Sequence, residues 1–161
     1  MRAPLLSVLA ALLLASCKSR PAPAGFESPS ATIDSLFRAY GVQEMSQEEA
    51  RRRLRAHERF ELLDSKLFRA CFSDWQGEHD QALGGFVFGQ LIAGKDELEI
   101  SLEGERAEVR AASASVELAP IVLVKQDRAW KIDLRKSVPP EVRQSLYEVY
   151  RRARRAERQA R

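Results

Sequence analysis

The sequence contains few of the residues that build metal centres and disulfide frameworks. Its 161 residues include only two cysteines and two histidines, which leaves little material for a disulfide scaffold or a zinc cluster. It has no CxxC pair, no glycine-rich phosphate loop and no Gly-x-Ser-x-Gly elbow, so the usual signatures of redox, nucleotide and hydrolase sites are absent. The signatures of the common nucleic-acid modules are absent as well. We therefore predict no catalytic residue, cofactor, metal or nucleic-acid partner.

The charges are nearly balanced. Lysine and arginine number 26 and aspartate and glutamate number 23, giving a net charge of +3. This small excess excludes a strongly basic or acidic protein whose overall charge would select its partner. The length is that of one domain with a single core, and nothing in the composition indicates an oligomeric state.

An apolar run near the start is too short to span a membrane. Leu5 to Leu14 is apolar apart from Ser7, about half the ~20 residues that a spanning helix needs. Arg2 precedes the run and small residues follow it, which is typical of a secretory signal. We predict that residues 1–16 are a signal peptide.

The run ends in Leu14-Ala15-Ser16-Cys17, which resembles the lipobox of bacterial lipoproteins. The resemblance implies cleavage before Cys17, diacylglycerol on its sulfur and usually a third acyl chain, such as palmitate, on the new amino terminus. The alternative is an ordinary signal cleaved nearby, which leaves a free thiol. Lys18 in place of an aspartate slightly favours the outer membrane over the inner. The predicted location is the cell envelope, with the domain facing the periplasm or the cell surface.

The next segments predict a linker and then helices. Residues 17–29 are rich in proline and small residues, which indicates a lipidated, extended linker. A first helix is capped by Ser28 or Ser30 and stopped by Gly41. A second begins with the capping box that starts at Ser46. A third helical stretch covers about 58–74, with a break expected near Asp64.

The second half of the domain predicts strands. Residues 74–94 contain several glycines and aromatics, and we interpret them as a loop with a short strand over 86–92. Apolar residues then alternate with polar ones from Leu98, with a bulge near 112 and a continuing strand over 114–118. A hairpin turning at Asp127 leads into Trp130, Ile132 and Leu134, and Pro139-Pro140 ends the sheet.

This order predicts an α+β domain over residues 30–138, with N-terminal helices packed on a curled antiparallel sheet, and a basic C-terminal helix over 139–161. The order and the hairpin "IVLVKQDRAWKIDL" resemble the cone-shaped fold of the nuclear transport factor two-like (NTF2-like, cystatin-like) superfamily. That superfamily includes isomerases, dehydratases and binding modules, so the resemblance implies a fold and no single function.

Two groups of reactive residues invite a catalytic or metal interpretation. His57, Asp64 and Cys71 are seven residues apart, which is ~10.5 Å along a helix, whereas acid–base partners need ~2.6–3.2 Å. We therefore interpret Asp64 as a cap and Cys71 as a buried core thiol, with a free reactive thiol as the alternative. Glu78-His79-Asp80 suggests metal ligands, but we favour a solvated loop.

The C-terminal helix is the unusual feature. Residues 141–161 contain seven arginines and three glutamates, and the apolar stripe of its second half is mostly alanine. The candidate contacts for an anionic partner are Arg151, Arg152, Arg154, Arg155 and Arg158. The alternatives are a solvated tail, or pairing with the acidic residues of 95–118.

These observations predict a lipid-anchored envelope protein with a non-catalytic binding or scaffolding domain. The alternative is an envelope enzyme that uses the cone as a pocket for proton-transfer chemistry, isomerase- or dehydratase-like, on a small apolar substrate. Convergent ionisable groups inside the cone would favour the enzyme, and an apolar interior would favour the binding module.

Overall fold

The computed structural model describes residues 21–112 and 119–161. Within these ranges the chain has six α-helices and one four-stranded antiparallel sheet, which confirms the predicted α+β class. The helices are α1 (Pro29–Ala39), α2 (Gln47–Arg55), α3 (Ser65–Ala70), α4 (Gln81–Ala93), α5 (Leu134–Ser137) and α6 (Pro140–Gln159). The strands are β1 (Leu98–Glu103), β2 (Arg106–Ala111), β3 (Ile121–Gln126) and β4 (Ala129–Ile132), in the order β1-β2-β3-β4. The predicted signal peptide, Cys17 and the strand over 114–118 lie outside the described residues.

Local capping sets the start of the first three helices, as the sequence predicts. Ser28 Oγ accepts a hydrogen bond from the Ala31 amide at 3.1 Å, and Ser46 Oγ accepts one from the Glu49 amide at 3.2 Å. Asp64 Oδ1 accepts from the Leu67 amide at 2.8 Å and begins α3. Each bond satisfies an amide that has no partner within its helix.

The third helix is shorter than predicted. The sequence predicts helix over 58–74, whereas α3 covers only Ser65–Ala70. His57 has a positive φ of 54° just after α2, a conformation that a continuous helix does not allow. Residues 58–64 form an irregular connection. At its end the Leu63 and Asp64 amides donate to the Ala39 carbonyl of α1 rather than to a preceding turn of helix, and Asp64 then caps α3.

The β3–β4 hairpin confirms the predicted turn. Lys125 pairs with Trp130 and Gln126 pairs with Ala129. Asp127 and Arg128, which both have positive φ, form the two-residue loop between them. Two residues with positive φ are typical of the tight turns that match the twist of a hairpin.

The sheet ends earlier than predicted. Leu134, expected to continue the alternation, belongs to α5, because Asp133 caps that helix by accepting from the Lys136 amide at 2.9 Å. Ile132 is therefore the last strand residue. Pro139 and Pro140 do not end the sheet: Pro139 precedes α6 and Pro140 is the first residue of that helix. Leu134 is nevertheless fully buried.

The outer edge of β4 is covered by segments from elsewhere in the chain. The Trp130 amide donates to the Phe26 carbonyl and the Ile132 amide donates to the Cys71 carbonyl, both at 2.8 Å. Thr32 Oγ1, on α1, donates to the Trp130 carbonyl at 2.7 Å. Because Phe26 is also buried, the packed domain begins before residue 30, inside the segment predicted as linker.

The main correction concerns residues 74–94. The predicted loop with a strand over 86–92 is the helix α4, which packs against α1, α2, α5, α6 and β2. Leu83, Val87 and Leu91 are fully buried along one side of it. Three glycines lower the helix propensity of this segment, but burial in the core outweighs that cost.

Gly84 has a packing role in α4. A Cβ atom at this position would lie 2.4 Å from Cζ of Phe68 and 2.9 Å from Cζ of Phe72. Both distances are shorter than any carbon–carbon contact tolerates. The absence of a side chain at Gly84 therefore lets α4 approach the rings of Phe68 and Phe72.

The space between the helices and the sheet is filled mainly by apolar side chains. The Tyr40 ring stacks on Phe88 with 3.8 Å between centroids. Cys71 is fully buried, as predicted, and burial raises the pKa of its thiol to about 12. The thiol is therefore protonated at neutral pH and not a nucleophile.

We predict opposite effects for alanine at two glycines of α4. Gly84→Ala should lower the free energy of unfolding by about 1–3 kcal/mol, because the new methyl group overlaps the Phe68 and Phe72 rings. Gly89→Ala should raise it by about 0.5–1 kcal/mol, because a Cβ there meets nothing within 4 Å. Urea unfolding followed by circular dichroism measures both. Equal stability of the two variants would contradict the packing role of Gly84.

Candidate functional site

A carboxylate that is completely buried lies at the start of α4. Asp80 has no exposed surface, and its Oδ2 accepts a hydrogen bond from the Gln76 amide at 2.7 Å. An ionised carboxylate is stable in such a position only when it is paired and hydrogen-bonded.

The partner of Asp80 is Arg135 of α5. The Arg135 Nη2 atom lies 3.0 Å from Asp80 Oδ1 and 3.1 Å from Oδ2. The same guanidinium contacts Asp74 Oδ2 at 3.2 Å, and Asp74 also accepts from the amides of Leu134 and Arg135. Burial disfavours the charged guanidinium, but the hydrogen bonds and charges of Asp74 and Asp80 outweigh that effect and raise the pKa of Arg135.

Tyr147 connects this ion pair to α6. Its hydroxyl donates to Asp80 Oδ1 at 2.8 Å and accepts from Arg135 Nη2 at 3.2 Å. Burial and the negative charge of Asp80 raise the pKa of the Tyr147 hydroxyl. The His79 ring packs edge-on against Tyr147, with 5.3 Å between centroids. We call Asp74, Asp80, Arg135 and Tyr147 the Asp80 network.

The Asp80 network corrects the interpretation of Glu78-His79-Asp80 as a solvated loop. Residues Glu78–Asp80 form a 3₁₀ turn that leads into α4, and Asp80 points inward. Both of its oxygens already accept hydrogen bonds from protein groups. No set of three or more potential metal ligands is close together in the ranges 21–112 and 119–161.

The network was not predicted, because its members are far apart in the sequence. Asp80 and Arg135 are 55 positions apart, and Asp80 and Tyr147 are 67 apart. No local spacing relates such residues. The local signal was limited to three acidic residues within seven positions, Asp74, Glu78 and Asp80, and that pattern equally suits a surface loop.

The second half of α6 leaves the domain. Val142 and Leu146 in its first half pack on the core, whereas every residue from 151 to 161 is exposed. The five predicted contact residues all lie in this free end: Arg151, Arg152, Arg154, Arg155 and Arg158. The Asp80 network therefore fixes one end of α6 and the arginines occupy the other.

Four of these arginines form a stripe. Arg151, Arg154, Arg155 and Arg158 are separated by three or four positions, so they share one side of the helix, and with Tyr150 they line a shallow depression. We call these four residues the arginine stripe. Arg154 is bonded to Glu157 at 2.9 Å, whereas among the described residues neither Arg151 nor Arg155 forms an ion pair.

The alternative that α6 pairs with the acidic sheet has little support among the described residues. Glu97 is bonded to Arg51 of α2 at 3.3 Å, and Glu108 is bonded to Arg106 and Arg110 of its own strand. The carboxylates that contact α6 arginines belong to α6 itself, namely Glu148 and Glu157. The free end of α6 thus keeps most of its positive charge.

Comparison with models of protein families, with curated proteins and with solved structures gave no match. In the part of the chain that the structure describes, no helix is both long enough and apolar enough to cross a membrane.

We predict that the Asp80 network stabilises the attachment of α6. Asp80→Asn should lower the free energy of unfolding by about 2–3 kcal/mol, because Arg135 and Tyr147 lose a charged partner while Asp74 still holds the guanidinium. The matched control is Glu108→Gln, which removes two surface ion pairs, with Arg106 and Arg110, and should cost less than about 1 kcal/mol. Urea unfolding measures both, and amide exchange in α6 should rise only in Asp80→Asn. Equal losses in the two variants would contradict this role.

Proposed function

We propose that this protein is a lipid-anchored cell-envelope protein whose domain is a non-catalytic binding or scaffolding module. In this proposal Cys17 carries the lipid, and the arginine stripe, with Arg152, engages an anionic component of the envelope. The observation that carries the proposal is the free end of α6, which holds exposed guanidinium groups with few carboxylates to neutralise them.

An anionic partner follows from the chemistry of the arginine stripe. Guanidinium groups bind phosphate and carboxylate oxygens through paired hydrogen bonds. Helical spacing places these four on one side of α6, where an extended anionic surface meets several at once. Lipid headgroups, an anionic polysaccharide and an acidic protein face all share that chemistry.

The alternative of an enzyme has weaker support. The interior between the sheet and the helices is lined mainly by apolar side chains. The ionisable groups that converge do so in the Asp80 network. There Arg135 is bonded to Asp74, Asp80 and Tyr147, and Tyr147 is also bonded to Asp80. Cys71 is protonated at neutral pH. An isomerase- or dehydratase-like mechanism needs an ionisable group that faces an enclosed pocket, whereas Tyr150 and the arginine stripe line a shallow depression on the surface of α6.

We also infer that the domain is a variant of the NTF2-like cone. The order of helices before an antiparallel meander supports this inference, as does the packing of α1 on β4. The sheet has four strands in the described ranges and is open, so a likeness to the cone rests on this order and on the β3–β4 hairpin.

We predict that the arginine stripe binds anionic surfaces. In the domain expressed without residues 1–17, and so without signal or lipid anchor, Arg151, Arg155 and Arg158 are changed together to Gln. Binding to anionic liposomes at low salt should fall by about two orders of magnitude, because each base near such a surface contributes ~1 kcal/mol. Flotation at low and high salt, with zwitterionic liposomes and an acidic polymer in parallel, measures this.

The matched control for the arginine stripe is Arg52, Arg55 and Arg59 changed together to Gln, which removes the same charge from another surface. It should bind like the parent protein. Equal loss in both triple variants would show that only net charge matters. If the parent ignores both anionic liposomes and the polymer at low salt, the free end is a solubilising tail.

We predict that Cys17 is the mature, acylated amino terminus. Protein extracted from membranes should have the mass of residues 17–161 plus diacylglycerol and an acyl chain. Cys17→Ser should move the protein from the membrane to the soluble fraction, because two or three chains anchor durably. An unmodified amino terminus at another residue would contradict the lipid anchor.

A further inference from the structure

The free end of α6 has an apolar stripe on the side opposite the arginine stripe. Its members follow one another at alternating steps of four and three, the spacing of the a and d positions in a coiled coil. They are Val142, Leu146, Val149, Ala153, Ala156 and Ala160. The first two pack on the domain, whereas Val149 is 62% exposed and the three alanines are exposed.

We propose that the exposed part of this stripe pairs with the same stripe of a second copy, as a short parallel two-stranded coiled coil. In this register Val149 and Ala156 are d positions, and Ala153 and Ala160 are a positions. Small residues at these positions let two helices approach closely, and Val149 supplies the largest apolar contact.

The flanking charges favour a second copy in parallel orientation. Arg152 is at a g position and Glu157 at the following e position, the pair that meets between helices in a parallel coiled coil. Two-fold symmetry forms this pair twice. Both side chains are mostly exposed, and in the isolated chain they have only local partners, Glu148 at 3.8 Å and Arg154 at 2.9 Å.

The same register keeps the arginine stripe away from the contact. Its four residues are at the b, c and f positions, which face outward in a coiled coil. Pairing therefore brings no two guanidinium groups of the stripe into contact across the seam. It places two stripes on opposite outer faces of one assembly.

The contact is small, so a high local concentration is required. Four mostly small side chains bury little apolar surface, and apolar burial is the main source of stability. Attachment of both copies to one membrane raises their effective concentration and favours the parallel orientation. This last step rests on the proposed lipid anchor.

Cysteine cross-linking of the full chain in native membranes tests the pairing. Val149→Cys and Ala156→Cys, made singly, should each form a covalent dimer with a short bismaleimide. Arg155→Cys, which faces outward, is the matched control and should not. Cys71 is fully buried and so does not compete for the reagent. Equal yields at 149 and 155, or no dimer at 149 or 156, would overturn the proposal.

Orientation is tested by the same cross-linking in membranes that contain both the Val149→Cys protein and an Ala160→Cys protein. In a parallel pair the two copies of residue 149 lie side by side. In an antiparallel pair residue 149 of one copy lies beside residue 160 of the other, and the two copies of residue 149 are ~16 Å apart along the helix axis. A mixed 149–160 cross-link without a 149–149 cross-link would overturn the parallel arrangement. The amount of protein in the membrane fraction is measured separately. Protein that is bound to the membrane but forms no dimer would contradict the coiled coil without contradicting the lipid anchor.

A charge swap tests the Arg152–Glu157 pair. In the Val149→Cys protein, Glu157→Arg should lower the dimer yield by about tenfold, because two attractive pairs become repulsive. Adding Arg152→Glu to that variant restores opposite charges and should restore the yield. A loss that the second change does not restore would overturn the proposed register.

Discussion

The contact between α4 and the aromatic residues near α3 is the constraint on which most of this structure depends. Gly84 faces the rings of Phe68 and Phe72 at a distance that excludes any side chain. The resulting close approach buries α4, which in turn contacts α1, α2, α5, α6 and one strand of the sheet. The glycines that weaken α4 as an isolated helix thus permit its central position.

A second constraint follows at the beginning of α4. A carboxylate with no exposed surface is stable only when it is paired, and the partners of Asp80 are Arg135 on α5 and Tyr147 on α6. Because Tyr147 is in the first half of α6, the network holds that half against the domain. The helix continues for about three turns beyond Tyr147, the last of its residues that packs on the core. The free end therefore projects from the domain, because one partner of the buried Asp80 carboxylate lies in the first half of α6.

The two sides of this free end have different chemistry. One side presents guanidinium groups, which pair with anions, and the other presents Val149 and small alanines at coiled-coil spacing. A binding module needs an exposed surface that the domain does not satisfy internally, and the end of α6 is such a surface. In the part of the chain that the structure describes, the interior is mainly apolar and the Cys71 thiol is protonated at neutral pH.

The sequence by itself determined the features that depend on neighbouring residues. Ser28, Ser46 and Asp64 cap helices through bonds three positions away, and the β3–β4 hairpin and the extent of α6 follow from turn chemistry and periodicity. Burial of Cys71 also followed from the apolar residues around it. The tertiary structure alone decided that residues 81–93 are a helix, because burial overrides the low propensity of glycine. It also decided the Asp80 network, because the partners of a buried charge are chosen by distance in space, and Asp80 and Arg135 are 55 positions apart in the chain.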